Sequence, residues 1–275
     1  MSNLLLEVFD MVGGTIAKVV PVTIVLAVVF SVLSHFWACN SGPSWWRKRE
    51  LVTDLCYWFL VPVFARVLRI GLLVVGAGVI FNIREADELI AFYDNGHGPL
   101  SRLPLWLQAG LFLVLSDFIL YWLHRLFHGG EFWKYHAIHH SSEELDWISA
   151  ARFHPVNLFL GTIMVDVILL LAGISPNIML WVGPFTTFHS AFVHANLRWT
   201  LGPFRYLLAT PVFHRWHHTA LEDGGNSNFA GTFPLWDLLF GTFRMPEGRL
   251  PEVYGKDEEA IPSEIVGQLA YPFRR

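Results

Sequence analysis

The sequence predicts an all-α integral membrane helical bundle of about four to five spans, capped on one face by a histidine-rich helical layer that holds a di-metal site. Three observations predict it. Of 275 residues, 53% are hydrophobic and only 15% charged, far from the balance of a soluble domain. Several apolar runs approach the ~20 residues that cross a bilayer. Of the 13 histidines, all but His35 and His97 fall between His124 and His218.

The first span is expected over 19–38, VVPVTIVLAVVFSVLSHFWA. Glu7 and Asp10 precede it without a basic n-region, so it reads as a retained span and not a cleaved signal. Residues 55–82 are apolar but contain Arg66 and Arg69. Either an interfacial helix over 52–66 followed by a short span over 67–83, or one tilted helix, accommodates them. A further span is expected over 105–124, and apolar runs over 158–173 and 177–194 flank a turn signal, Ile174-Ser175-Pro176-Asn177, which predicts a helical hairpin. The chain is expected to divide into N-terminal membrane spans and loop (1–104), a histidine-rich domain (105–245) and a C-terminal cytoplasmic tail (246–275).

The basic cluster WWRKRE at 45–50, with Arg66 and Arg69 behind it, marks the segment after the first span as cytoplasmic. Threading the remaining spans from there brings every histidine-rich segment to that same face. A net charge of −4 without a broad basic surface excludes nucleic acid as a partner. Cys39 and Cys56 form no CxxC motif and read as packing residues.

Three clusters dominate the histidine pattern: His124 and His128 in HRLFH, His136, His139 and His140 in HAIHH, and His214, His217 and His218 in HRWHH. Positions i, i+3 and i+4 of a helix share a face, so each HxxHH is expected to aim its first and last imidazoles, and with some rotation its middle one, at one point. Neutral imidazole suits iron, zinc, copper and nickel, and brings no buried negative charge to a bilayer. Three clusters exceed the four ligands that close a structural zinc site. Two metals are therefore the economical reading, with His189 and His194 available to complete their shells and His154 as a further candidate.

Asp117, Tyr121, His124 and His128 lie on one helical face. A carboxylate inside a span needs a partner, and Asp117 is expected to find one in the N–H of a ligand histidine, with Tyr121 beside it. Glu143, Glu144, Asp223 and Asp237 lie near the clusters and are not ranked by sequence.

HRLFH, KYHAIHH, RFHP, HAN and TPVFHRWHH, followed by NFAGTFPLWDLLFGTF, together resemble the fatty acid hydroxylase/sterol desaturase superfamily of membrane-bound non-haem di-iron oxygenases, over roughly residues 110–245. The resemblance implies that the three boxes are metal ligands, that His194 is an additional ligand, and that His189 and His154 match only some branches. It implies two irons, O2, a membrane lipid substrate, and hydroxylation or desaturation of an unactivated C–H bond. A separate redox partner, ferredoxin or cytochrome type and ultimately fed by NAD(P)H, is expected to supply electrons. The expected setting is a bacterial inner membrane rather than the endoplasmic reticulum, with the active site facing the cytoplasm. The rival reading is a zinc-binding membrane protein, structural or hydrolytic; the HExxH motif of zinc hydrolases is missing.

Overall fold

The computed structural model describes residues 2–255 and 261–274, so residues 256–260 and 275 of the expected tail lie outside the described residues. The elements are α1 (Ser2–Trp37), α2 (Leu51–Ile80), α3 (Ala86–Asn95), α4 (Leu105–Phe127), α5 (Trp133–His140), α6 (Pro155–Ala172), α7 (Ile178–His194), α8 (Pro211–His217), α9 (Leu235–Leu239) and α10 (Ile265–Ala270), with no strand among the described residues.

Four helices are long and apolar enough to cross a membrane: Phe9–Trp37, Leu51–Ile80, Leu105–Phe127 and Pro155–Ala172. At 17 residues, α7 sits at the short limit for a span; the expected turn joins it to α6, but the two helices each pack on α4 rather than on one another. Of the two arrangements open for the second apolar stretch, the structure takes the single helix α2. Pro62 lies within α2, as Pro21 does in α1 and Pro184 in α7; membrane helices tolerate such interruptions where neighbours satisfy the freed backbone.

Side-chain hydrogen bonds tie α1 to its successor. Ser31 Oγ donates to the Ala27 carbonyl and accepts from Trp45 Nε1 at 2.9 Å, and Thr23 Oγ1 accepts from Trp58 Nε1 at 2.6 Å. Each indole thereby keeps its one donor satisfied while burying its ring. The rings of Trp45, Trp58 and Phe30 surround the fully buried Trp147, at centroid distances of 5.1, 5.3 and 6.1 Å. This aromatic knot joins the bundle to the histidine-bearing cap.

Beside it lies a buried ionic group. Lys48 Nζ is 2.7 Å from Asp54 Oδ2, while Arg152 pairs with Asp54 through Nε and with Glu50 at 2.8 Å. Two cations and two carboxylates balance, as burial of charge requires.

At the end of the bundle remote from the histidines, α3 docks on the turn that joins α6 to α7. Asn177 N donates to the Tyr93 carbonyl at 3.1 Å and His97 N to the Gly173 carbonyl at 3.3 Å. Gly173 ends α6 with φ 88°, and a Cβ there would stand 2.0 Å from the His97 carbonyl oxygen, so both conformation and space demand glycine.

Arg66 and Arg69 depart from their expected grouping with the basic cluster at 45–50. They lie about 22 and 27 Å along α2 from its first residue, at the helical rise of ~1.5 Å per residue. Arg66 Nη1 donates to Thr15 Oγ1 at 2.9 Å and Arg69 Nε to Asp166 Oδ2 at 3.0 Å.

Candidate metal centre

Nine histidines from α4, α5, α7 and α8, with the residues that end α4 and α8, converge at one end of the bundle. They form two groups: His124, His128, His136, His140 and His217 in one, and His139, His194, His214 and His218 in the other, with one ring nitrogen of each histidine within 4.8 Å of those of its group. The groups adjoin, for the His140 ring stacks on His218 at 4.5 Å.

The two HxxHH boxes divide between the groups in complementary fashion. His136 and His140 serve the first group and His139 the second; His214 and His218 serve the second and His217 the first. This corrects the expectation that each box aims at one point. On a helix, i and i+4 differ by only about 40° in direction, whereas i+3 and i+4 diverge by about 100°. The middle histidine therefore serves the neighbouring centre.

Backbone carbonyls set the tautomers. His124 Nδ1 donates to the Phe229 carbonyl at 2.7 Å, His217 Nδ1 to Ser227 at 2.7 Å, His139 Nδ1 to Arg152 at 3.1 Å and His194 Nδ1 to Ser190 at 2.7 Å. Since a carbonyl only accepts, each Nδ1 carries the proton and each Nε2 presents a lone pair. In the first group the Nε2 atoms of His124, His128, His136, His140 and His217 are buried without a hydrogen-bond partner. In the second, the Nε2 lone pairs of His139 and His194 face each other at 3.3 Å, with His214 Nε2 at 3.1 Å from His194. Unpartnered buried lone pairs that converge in this way are costly unless a cation lies among them.

Burial holds the imidazoles of His136, His139, His140, His214, His217 and His218 well below their ordinary pKa of 6.5, so at neutral pH they are uncharged. Neutral imidazole is the metal-binding form. The donor set fits two transition-metal ions.

A short segment, FAGTF at 229–233, carries much of the support. Asp237 accepts from the backbone N–H of Phe229 at 2.8 Å and Ala230 at 2.9 Å, and Asp117 from those of Thr232 and Phe233, both at 2.8 Å. Asp117 thus meets no histidine, contrary to expectation. It stands seven residues before His124, about 10 Å along α4, and both of its oxygens are taken by the segment whose Phe229 carbonyl holds that histidine. Tyr121 likewise meets no histidine nitrogen: its hydroxyl bonds Thr242 Oγ1 at 2.9 Å, and Thr242 donates to Asp237 Oδ1 at 2.6 Å.

His189 and His154 are not brought into either group. His189 makes a backbone hydrogen bond to Gly231, within the same FAGTF segment. His154 instead caps α6, its Nδ1 accepting from Val156 N at 3.1 Å. Arg215, between the histidines of the third box, is buried and donates to the carbonyls of Leu145 at 2.8 Å and His194 at 3.0 Å. Sequence reasoning missed the four carbonyls, because a backbone oxygen has no residue-type signature, and it missed Arg215, whose only signal was its place between the histidines of HRWHH. Phe153 stacks on His139 at 4.3 Å.

Residues 109–242 match the model of the fatty acid hydroxylase family. The chain is 34% identical to the ornithine lipid hydroxylase OlsE of Rhizobium tropici over 84% of its own length and 69% of the relative's. It is 32% identical to alkylglycerol monooxygenase of Danio rerio over 69% of the chain and 42% of the relative, and 30% identical to C-4 methylsterol oxidase erg25 of Schizosaccharomyces pombe over 52% and 49%. The chain thus spans less than half the length of these last two. No solved structure matches it.

Proposed function

Because the chain belongs to the fatty acid hydroxylase family, we propose that it is a membrane di-iron oxygenase that uses O2 to hydroxylate an apolar lipid. The observation that carries this reading is the pair of adjoining, buried, all-imidazole groups with converging Nε2 lone pairs. Two irons bound there would supply the reductive activation of O2 that attacks an unactivated C–H bond.

The chain's own contribution is to hold, position and exclude water. Carbonyls of Phe229, Ser227, Arg152 and Ser190 lock four histidines in the tautomer that presents Nε2. Asp237 and Asp117 fix the backbone that provides the first of those carbonyls. Phe153, stacked on His139, also lines an apolar cavity that enters the bundle, which suits a lipid chain brought up to the histidine end.

Electrons come from a separate ferredoxin- or cytochrome-type partner. Arg47 and Arg49 beside α2 favour placing the histidine end on the cytoplasmic side of a bacterial inner membrane.

Two measurements on the same pair of strains test the reading: lipid mass spectrometry of cells carrying the intact chain or His217→Ala, and metal analysis of the purified proteins. A lipid with one added oxygen, present only with the intact chain, together with about two irons per chain, is expected. Loss of two hydrogens instead assigns desaturation. Zinc in place of iron, with no lipid change, overturns the proposal.

A further inference from the structure

A cavity of about 1020 Å³ runs through the membrane-embedded part of the bundle, large for a small-molecule site. One end is lined by Phe153, which stacks on His139, and by Ser190, whose carbonyl holds His194. The wall is apolar. Its titratable lining residues are Lys18, Arg66, Arg69, Asp166 and Tyr93, all toward the end remote from the histidines.

Their charges do not balance. Asp166 is paired with Arg69 at 3.0 Å. Among the described residues no carboxylate lies within ion-pair distance of Arg66 or Lys18, and Arg66 has only the Thr15 hydroxyl at 2.9 Å. Lys18, Arg66 and Arg69 keep exposed side chains at the cavity's rim, so their donors remain open to a ligand, and cations within a span that reach a cavity mark a ligand or ion path. Lys48 and Arg152, by contrast, are buried and paired with Asp54 and Glu50, which closes them to a ligand.

Resting on the proposed lipid-oxygenase reading, we infer that this cavity binds a long-chain amphiphile whose anionic head, a carboxylate or phosphate, is held by Arg66, Lys18 and Arg69 while its apolar chain runs toward the histidine centre. Guanidinium offers planar paired donors to such a head. The spacing agrees with an extended chain: Trp58, packed on Trp147 near the cap, and Arg69 both line the cavity and are separated by about 17 Å of helix. The site would thus select substrate by its head and set which carbon reaches the metals by the distance between the two ends.

Binding tests this without requiring turnover. The full chain is placed in nanodiscs of neutral phosphatidylcholine, and the affinities of labelled palmitate, palmitate methyl ester and lysophosphatidate are measured. The expected result is that palmitate or lysophosphatidate binds about tenfold or more tightly than the uncharged ester. Which of the two prevails distinguishes a carboxylate from a phosphate head. The double variant Lys18→Gln/Arg66→Gln should erase that preference while leaving affinity for the ester unchanged, which also shows that the cavity is still folded. Equal binding of acid and ester by the unaltered chain, or a preference that survives the double substitution, overturns the inference. The same measurement on His217→Ala separates the two readings: a retained head preference with no lipid oxidation by any form of the protein would count against the oxygenase and leave the anion site standing.

Discussion

His139 and His140 are neighbours in sequence, yet their imidazoles belong to different nitrogen groups, His139 with His194, His214 and His218, and His140 with His124, His128, His136 and His217. The third box repeats the division in reverse, His217 joining the first group and His218 the second. Each helix therefore ties both groups together.

Single alanine substitutions should separate the two groups. His217→Ala removes a ligand nitrogen from the five-membered group and His218→Ala from the four-membered one. Since four ligands close a tetrahedral site, the smaller group has none to spare, and His218→Ala should lose more metal than His217→Ala. Both should abolish lipid oxidation while the protein still inserts in the membrane. Elemental analysis of the purified variants checks this; equal metal content in both variants and the unaltered protein would remove the groups from consideration as metal sites.

Asp237→Asn should weaken metal binding from a distance. The carboxylate accepts two backbone N–H groups and the Thr242 hydroxyl, and an amide nitrogen in place of one oxygen would face a donor with a donor. Leaving a buried donor unsatisfied costs about 1–3 kcal/mol. Because Phe229, one of the two amides, also supplies the carbonyl for His124, metal affinity should fall by roughly 10–100-fold. Metal titration of the variant measures it, and Thr242→Val, which removes only the hydroxyl, should give a smaller change.

How much of this was legible beforehand depended on whether the information resided in side-chain type or in backbone placement. The helical membrane bundle followed from apolar runs, and the histidine boxes were visible by spacing. The division of each box was also within reach, had the roughly 100° between i+3 and i+4 been set against the idea of one focus. The support of His124 by Phe229 and of His139 by Arg152 was not, because those contacts use carbonyl oxygens that every residue possesses. Arg66 and Arg69 misled for a different reason: composition left open whether this stretch forms one helix or two, and in the single helix α2 both arginines lie far along the axis from the basic cluster at 45–50.

Gly173→Ala should destabilise the protein without touching its chemistry. A Cβ at that position would meet the His97 carbonyl oxygen at 2.0 Å, and the residue's φ of 88° is unfavourable to any side chain. Separation of α3 from the α6–α7 turn, or strain of about 1–3 kcal/mol, follows. The melting temperature in detergent should drop by several degrees, whereas metal content per folded molecule should stay constant, since the histidines sit at the opposite end.

The buried quartet supplies the last prediction, because it connects a buried ionic group to the candidate metal centre. Asp54 faces both Lys48 and Arg152, and its removal in Asp54→Asn would leave two buried cations with Glu50 alone. Breaking a buried pair in this way typically costs about 3–5 kcal/mol. Arg152 also provides the carbonyl that holds His139 Nδ1 at 3.1 Å, so a shift of Arg152 toward Glu50 would release that histidine from its tautomer. Metal should accordingly be lost from the group containing His139 before the group containing His124. The double variant Lys48→Met/Asp54→Asn removes one cation along with the carboxylate, and should recover part of both stability and metal content. Thermal melts and elemental analysis of the single and double variants together decide it; a single variant as stable and as metal-rich as the unaltered protein would show that the quartet does not support the centre.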